Sequence, residues 1–185
     1  MKKYSPNLNI EASGFTLLEM LFAVIIFSFA LISLMGIASK GVIATATARD
    51  QLTAQYLAEE GLEIARNMRD SNFLGYQSNI SWLDGIDNCT KTLPCDITYS
   101  NPPKLKNISP GSILYRSLDG VYRRSDDNGT GDPTTFWREV YIDDPEPGMP
   151  SNQKKIVSTV HWKQKTFDRS FTTQVYLSDW QNQSQ

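Results

Sequence analysis

Histidine and cysteine are scarce in this chain of 185 residues: His161 is the single histidine, and Cys89 and Cys95 are the two cysteines. That donor supply is too thin for a dedicated transition-metal site. Charge of one sign is lacking as well. Eighteen Lys and Arg face 20 Asp and Glu, for a net charge of -2 and a pI of about 5.4. Nucleic acid is therefore not indicated as a partner, because binding by bulk charge leaves a basic excess. No nucleophile–base pattern surrounds His161, which reads as a surface or edge residue and not as a catalyst. Five residues separate Cys89 from Cys95, which does not fit a CxxC redox motif. The run Asp126-Asp127-Asn128-Gly129-Thr130-Gly131-Asp132 offers oxygen ligands for calcium, yet Trp137 stands where an EF-hand needs its last glutamate. A polar hairpin loop is the better reading. No enzyme and no cofactor are expected.

Long apolar runs are missing too, with one exception. Met20 to Ser39 reads MLFAVIIFSFALISLMGIAS, 20 residues without a charge. As an α-helix it would span about 30 Å, the thickness of a bilayer's hydrocarbon core. Beyond Lys40 the chain looks like a soluble protein, with 21% charged and 40% hydrophobic residues overall. Lys2 and Lys3 precede the span, and such positive residues hold their end of a chain in the cytoplasm. Three readings compete: a cleaved secretory signal with Ala44-Thr45-Ala46 as its cleavage site, a plain single-pass anchor, and one that accounts for Gly14-Phe15-Thr16-Leu17-Leu18-Glu19. There a carboxylate interrupts an otherwise apolar stretch. Unpaired in a membrane span, it costs about 2.5–3.5 kcal/mol. Neither a signal nor a simple anchor has a use for it.

The segment GFTLLEMLFAVIIFSFALI, after a basic leader, resembles the N-terminal signature of type IV prepilins and type II secretion pseudopilins. The resemblance implies that residues 1–14 are a leader and that a prepilin peptidase cuts between Gly14 and Phe15 and N-methylates Phe15. It further implies that Glu19 pairs with the new α-amino group of a neighbouring subunit, fixing the register of a filament. A buried pair of that kind specifies geometry better than it adds stability. The partners implied are the peptidase, other pilin or pseudopilin subunits, an inner-membrane assembly platform and the membrane. The subunit would wait as a single-pass protein of the inner membrane, its head periplasmic or extracellular, before entering a pilus or pseudopilus. Two features depart from the pattern: the leader is long and contains Glu11, and Gly36 stands where many pilins have proline. A secretion pseudopilin is the alternative within the family; a membrane-tethered binding module that never polymerises is the alternative outside it.

The helical signal continues past Lys40. Residues 41–70 lack proline, and Ala54, Leu57, Gly61, Ile64 and Met68 form an apolar stripe at helical spacing. The expectation is one helix from Phe15 to Asp70: residues 15–39 as a transmembrane half, 40–70 as an amphipathic half, with Asn72 and Gly75 as stop signals. A break near Gly36 or Gly41 is the alternative. Residues 71–110 read as loop with one short strand at Asp96–Ser100. Cys89 and Cys95 lie there, outside the cytoplasm by topology, where disulfides persist. A bridge between them would add about 2–2.5 kcal/mol. Many pilins place their disulfide nearer the C-terminus.

The last third is strand-like: Ser112–Arg116 and Val121–Arg124 around the Asp119-Gly120 turn, then Thr135–Ile142, Lys155–Lys163 and Ser170–Leu177. Ile156, Ser158, Val160 and Trp162 share one face of their strand, and Phe171, Thr173, Val175 and Leu177 alternate likewise. The predicted class is α+β, the type IV pilin arrangement: a long N-terminal helix on a C-terminal antiparallel sheet of four to five strands, with residues 71–185 as the head. The tail more loosely resembles minor pilins of the PilV or pseudopilin-I kind. Trp82, Trp137, Trp162 and Trp180 read as core and edge aromatics. Arg116, Arg123, Arg124, Lys154 and Lys155 read as a solvated face.

Overall fold

The structure is a computed structural model that describes residues 14, 16–75, 81–124, 131–143, 147, 148 and 150–180. Residues 1–13, where the leader was expected, Phe15, and most of the 126–132 run lie outside the described residues. The chain divides into two units, Met1–Ala46 and Thr47–Gln185.

One α-helix, α1 (Leu17–Leu74), runs through both, without a break at Gly36 or Gly41. Thr16 starts it: its hydroxyl accepts the Glu19 N–H at 3.3 Å, and its carbonyl accepts the Met20 N–H at 3.1 Å. A threonine followed three residues later by a glutamate is the pattern of a capping box. In the first unit every residue from Leu17 to Ala46 is exposed. The hydroxyls there turn back onto the helix: Ser28 donates to Val24 O at 2.7 Å, Ser33 to Phe29 O and Thr45 to Gly41 O, each at 2.9 Å. Each of these hydroxyl donors is thus satisfied inside the helix.

In the second unit the helix buries Ala54, Leu57, Ala58, Gly61, Leu62, Ala65 and Met68. The buried ridge follows the expected spacing but is wider than the predicted stripe, with Ile64 half-buried at its margin. Small residues let the helix close on the sheet. A methyl group on Gly61 would come within 2.8 Å of both Ser158 Oγ and Val140 Cγ2. The helix ends at Leu74, one turn beyond Asp70, where the Gly75 N–H reaches Ser71 O at 2.8 Å.

The helix packs on a five-stranded antiparallel sheet in the order β2-β1-β6-β7-β8. Its strands are β1 (Cys95–Thr98), β2 (Lys104–Asn107), β6 (Phe136–Asp143), β7 (Gln153–Gln164) and β8 (Phe167–Ser178). The registers Val140↔Ser158 and Ser158↔Thr173 align the shared faces predicted for β7 and β8 with the buried face of β6. Two core clusters result. One joins Leu62, Ala65 and Met68 to Ile97, Val140, Ile156 and Leu177; the other joins Ala54, Leu57 and Ala58 to Phe136, Val160 and Trp162.

The five-stranded sheet is assembled differently from the expectation. The segments around Asp119-Gly120 become β3 (Tyr115–Ser117) and β4 (Tyr122–Arg123), which leave the meander and form a separate sheet, β4-β3-β5, with β5 (Gly131–Pro133). Their places in the main sheet go to β1 and β2, from a region read mostly as loop. The Asp-Gly turn itself forms, with Gly120 at φ 83° and its N–H on Ser117 O at 2.9 Å.

Gly61 supplies the test of this packing. Gly61→Val forces the helix off Val140 and Ser158, and we expect a loss of about 1–3 kcal/mol, the usual cost of overpacking a tight interface. Denaturant unfolding of the full chain in detergent measures it; unchanged stability would contradict the close approach.

Candidate functional site

Two places in the chain gather polar chemistry into apolar surroundings. The first is the start of α1. Gly14, Thr16 and Glu19 are all exposed, and Glu19 occupies the first turn. A carboxylate there is favoured by the helix dipole and by the cap. Both stabilise it locally, and neither covers it. Phe15, the predicted methylation site, is not among the described residues. Beyond Glu19 come large apolar side chains that remain mostly open, among them Phe22, Ile26, Phe29, Ile32, Met35 and Ile37. The helix is long and apolar enough to cross a membrane.

The second place was not singled out by the sequence reading. Arg138 on β6 is fully buried, as is Asp96 on β1. Its Nε donates to Asp96 Oδ1 at 2.6 Å, while Nη1 donates to Glu60 Oε2 at 2.7 Å and to Leu57 O at 3.0 Å. Glu60 in turn accepts from the Tyr99 hydroxyl at 2.7 Å. The Arg123 guanidinium lies 5.3 Å from the centre of the Tyr99 ring. Burial alone would weaken the hold of Arg138 on its proton, but Asp96 and Glu60 outweigh it and keep the guanidinium charged. Burial also pushes the Tyr99 phenol above its ordinary range; its hydrogen bond to Glu60 adds to the rise and the charge of Arg138 opposes it. The cluster ties helix, β1 and β6 together through one side chain. A charge on an alternating strand position is invisible as a core residue without knowledge of Asp96 and Glu60, which are 42 and 78 residues away.

Cys89 and Cys95 form a disulfide with Cα atoms 5.2 Å apart, as expected, and both sit in the core. The bridged loop docks on β6, where the Ile142 N–H reaches Cys89 O at 2.8 Å. Asn107 closes it from the other side, donating to Asn88 O at 2.9 Å and Leu93 O at 3.2 Å.

His161 is half-buried on the interior strand β7, stacked on Trp137 at 5.1 Å and 3.8 Å from Glu139. Trp162 is core, Trp82 and Trp180 pack on Phe73, and Trp180 stays half exposed. The five basic residues do not make one solvated face. Arg124 is buried, Arg123 is paired with Asp119 at 2.8 Å and Lys155 with Asp143 at 3.2 Å, while Arg116 is exposed. Arg124, just past the end of β4 (Tyr122–Arg123), is buried, which was not foreseen.

No family model, curated protein or solved structure matches this chain.

Arg138→Ala leaves Asp96 buried without its partner, and we expect a loss of about 3–5 kcal/mol in unfolding free energy. Tyr99 gives a pH signature. Its folded pKa is raised from the ordinary 10.0, so its contribution is full below pH 10 and declines as pH rises through the window above it. Thermal midpoints measured across pH 8–12 (about the accessible range) should fall less steeply above pH 10 in Tyr99→Phe than in the parent. Identical slopes would contradict the assignment.

Proposed function

We propose that this chain is a structural subunit of a type IV pilus-like filament, non-enzymatic, cut after Gly14 and assembled through the apolar half of α1. The observation that carries this reading is Glu19: a lone carboxylate at the head of an uncovered apolar helix, five residues after a glycine. In a membrane that charge is unpaired and costly. Cleavage would place an amine on Phe15, and stacking would bring the amine of one subunit to the carboxylate of the next. Each charge then resolves the other's burial.

The rest of the helix supports the same reading. Between lipid-facing helices the hydrophobic effect supplies no attraction, so packing and polar pairing decide association. The apolar half carries Ala23, Ala30, Gly36, Ala38 and Gly41 among its larger side chains, small residues that allow close helix approach. The head, held to the second half by the Arg138 cluster and stapled by Cys89–Cys95, would lie outside the cytoplasm, where its disulfide is maintained. Its partners would be a prepilin peptidase, other pilin or pseudopilin subunits and an assembly platform in the inner membrane. The uneven, loop-rich head favours a minor over a major subunit.

Glu19→Ala separates the roles. Processing should continue, because the cut site is untouched, while incorporation into sheared filaments should fall by about two orders of magnitude, the equivalent of 2.5–3.5 kcal/mol. Immunoblots of filament and membrane fractions read both. Incorporation at the parent level would refute the pairing.

A further inference from the structure

The strands β7 (Gln153–Gln164) and β8 (Phe167–Ser178) form a hairpin closed by the pair Gln164↔Phe167. β7 runs back along the second half of α1. Ile156 shares a core cluster with Leu62 and Ala65, and Val160 and Trp162 share one with Ala54, Leu57 and Ala58. At the end of the strand, Gln164 Nε2 donates to Thr47 Oγ1. The two-residue turn, Lys165 and Thr166, therefore lies at the Thr47 end of that half. Thr47 follows Ser39, the last residue of the charge-free span, by eight residues, and a helix of that length measures about 12 Å. Headgroups fill roughly 5–8 Å on each side of a bilayer's hydrocarbon core. Residues 40–46, which link the span to Thr47, contain no acid.

The tip of this hairpin is basic. Lys163, Lys165 and Arg169 are exposed, against one acid, Asp168. Among the described residues none of the three cations enters an ion pair. Phe167, between them, is 68% exposed. Lys165 holds φ at 56°, a left-handed conformation that tight turns ordinarily give to Gly, Asn or Asp. A lysine there costs backbone energy, and it sets a charge at the very tip. Cations around an exposed aromatic side chain form a surface that anionic headgroups attract and whose apolar part the acyl boundary takes up.

We propose that residues 163–169 dock on anionic lipid headgroups while α1 spans the membrane. Lys163, Lys165 and Arg169 meet phosphates, and Phe167 enters the interface. The partner is a lipid surface and not a free anion, because the chain keeps Thr47 close to the span and a free phosphate has no use for Phe167. The inference rests on α1 spanning a bilayer; it does not depend on cleavage after Gly14.

The test uses the full chain in vesicles of phosphatidylcholine alone or of equal parts phosphatidylcholine and phosphatidylglycerol. The Cys89–Cys95 bridge stays oxidised, so a single added cysteine takes the fluorophore. Headgroup spin labels should quench a label at Thr166→Cys strongly in the anionic vesicles and weakly in the neutral ones. A label at Ser151→Cys, beyond the other end of β7 and about 40 Å away, should escape in both. Lys163→Gln, Lys165→Gln and Arg169→Gln together should lower the docked-to-free ratio about a hundredfold, roughly fivefold for each cation. Equal quenching of Thr166→Cys in the two vesicles overturns the proposal, since the tether alone would then bring it there. Equal quenching at Ser151→Cys overturns it as well, as does a triple variant that docks like the parent. Acyl-chain quenchers should reach a label at Ile26→Cys in every vesicle. If they do not, the span fails and this inference with it; a quenched Ile26→Cys beside an unquenched Thr166→Cys overturns the docking alone.

Discussion

An apolar surface that its own chain does not cover is the constraint on which the rest of this molecule depends. From Leu17 to Ala46 the helix presents leucine, isoleucine, valine and phenylalanine on every side, all exposed. A helix that is hydrophobic all round belongs in a buried or membrane setting. Something outside the chain must take water's place: on the reading proposed here, first lipid and then other helices. The hydroxyls of Ser28, Ser33 and Thr45 are already satisfied within the helix and make no demand on that surrounding. Glu19, inside the head of the apolar run, does, while Lys40 lies past its far end.

The second half of the same helix solves a different problem. Its ridge of alanines and Gly61 brings it down onto β6 and β7, closer than larger side chains would allow. Across that contact Arg138 reaches from the sheet to Leu57 O and Glu60 on the helix and to Asp96 on β1. Burying these charges is not a cheap source of stability, because desolvation offsets most of the attraction. What the cluster supplies is a defined seat for the helix: sliding by one turn would strand a buried guanidinium. The disulfide loop works to the same end, holding β1 against β6.

Much of this was legible in residues. The uninterrupted helix follows from good helix formers, absent proline and the continuing apolar spacing, and Gly75 ends it. β6, β7 and β8 are long, rich in β-branched and aromatic residues, and alternate as half-buried strands do. The pairing of Cys89 with Cys95 follows from compartment and count. What stayed hidden has physical reasons. β2 has Leu105 as its one buried side chain, and β5 reads Gly-Asp-Pro, a turn by composition. Strands that short take their place from neighbours and not from propensity. Arg138 was not picked out as a core residue, because its partners lie far off in sequence. The width of the buried helix ridge was understated for a related reason: alanines count little in an apolar pattern, yet they are what close packing selects.

The account stands or falls on a bond in the segment just before the helix. The most direct measurement is the mass and N-terminal sequence of the native protein recovered from membranes. The account predicts a chain that begins at a methylated Phe15, its first 14 residues gone. A native chain that still begins at Met1, or one cut after Ala46, would contradict it, since Glu19 would then have no amine to meet.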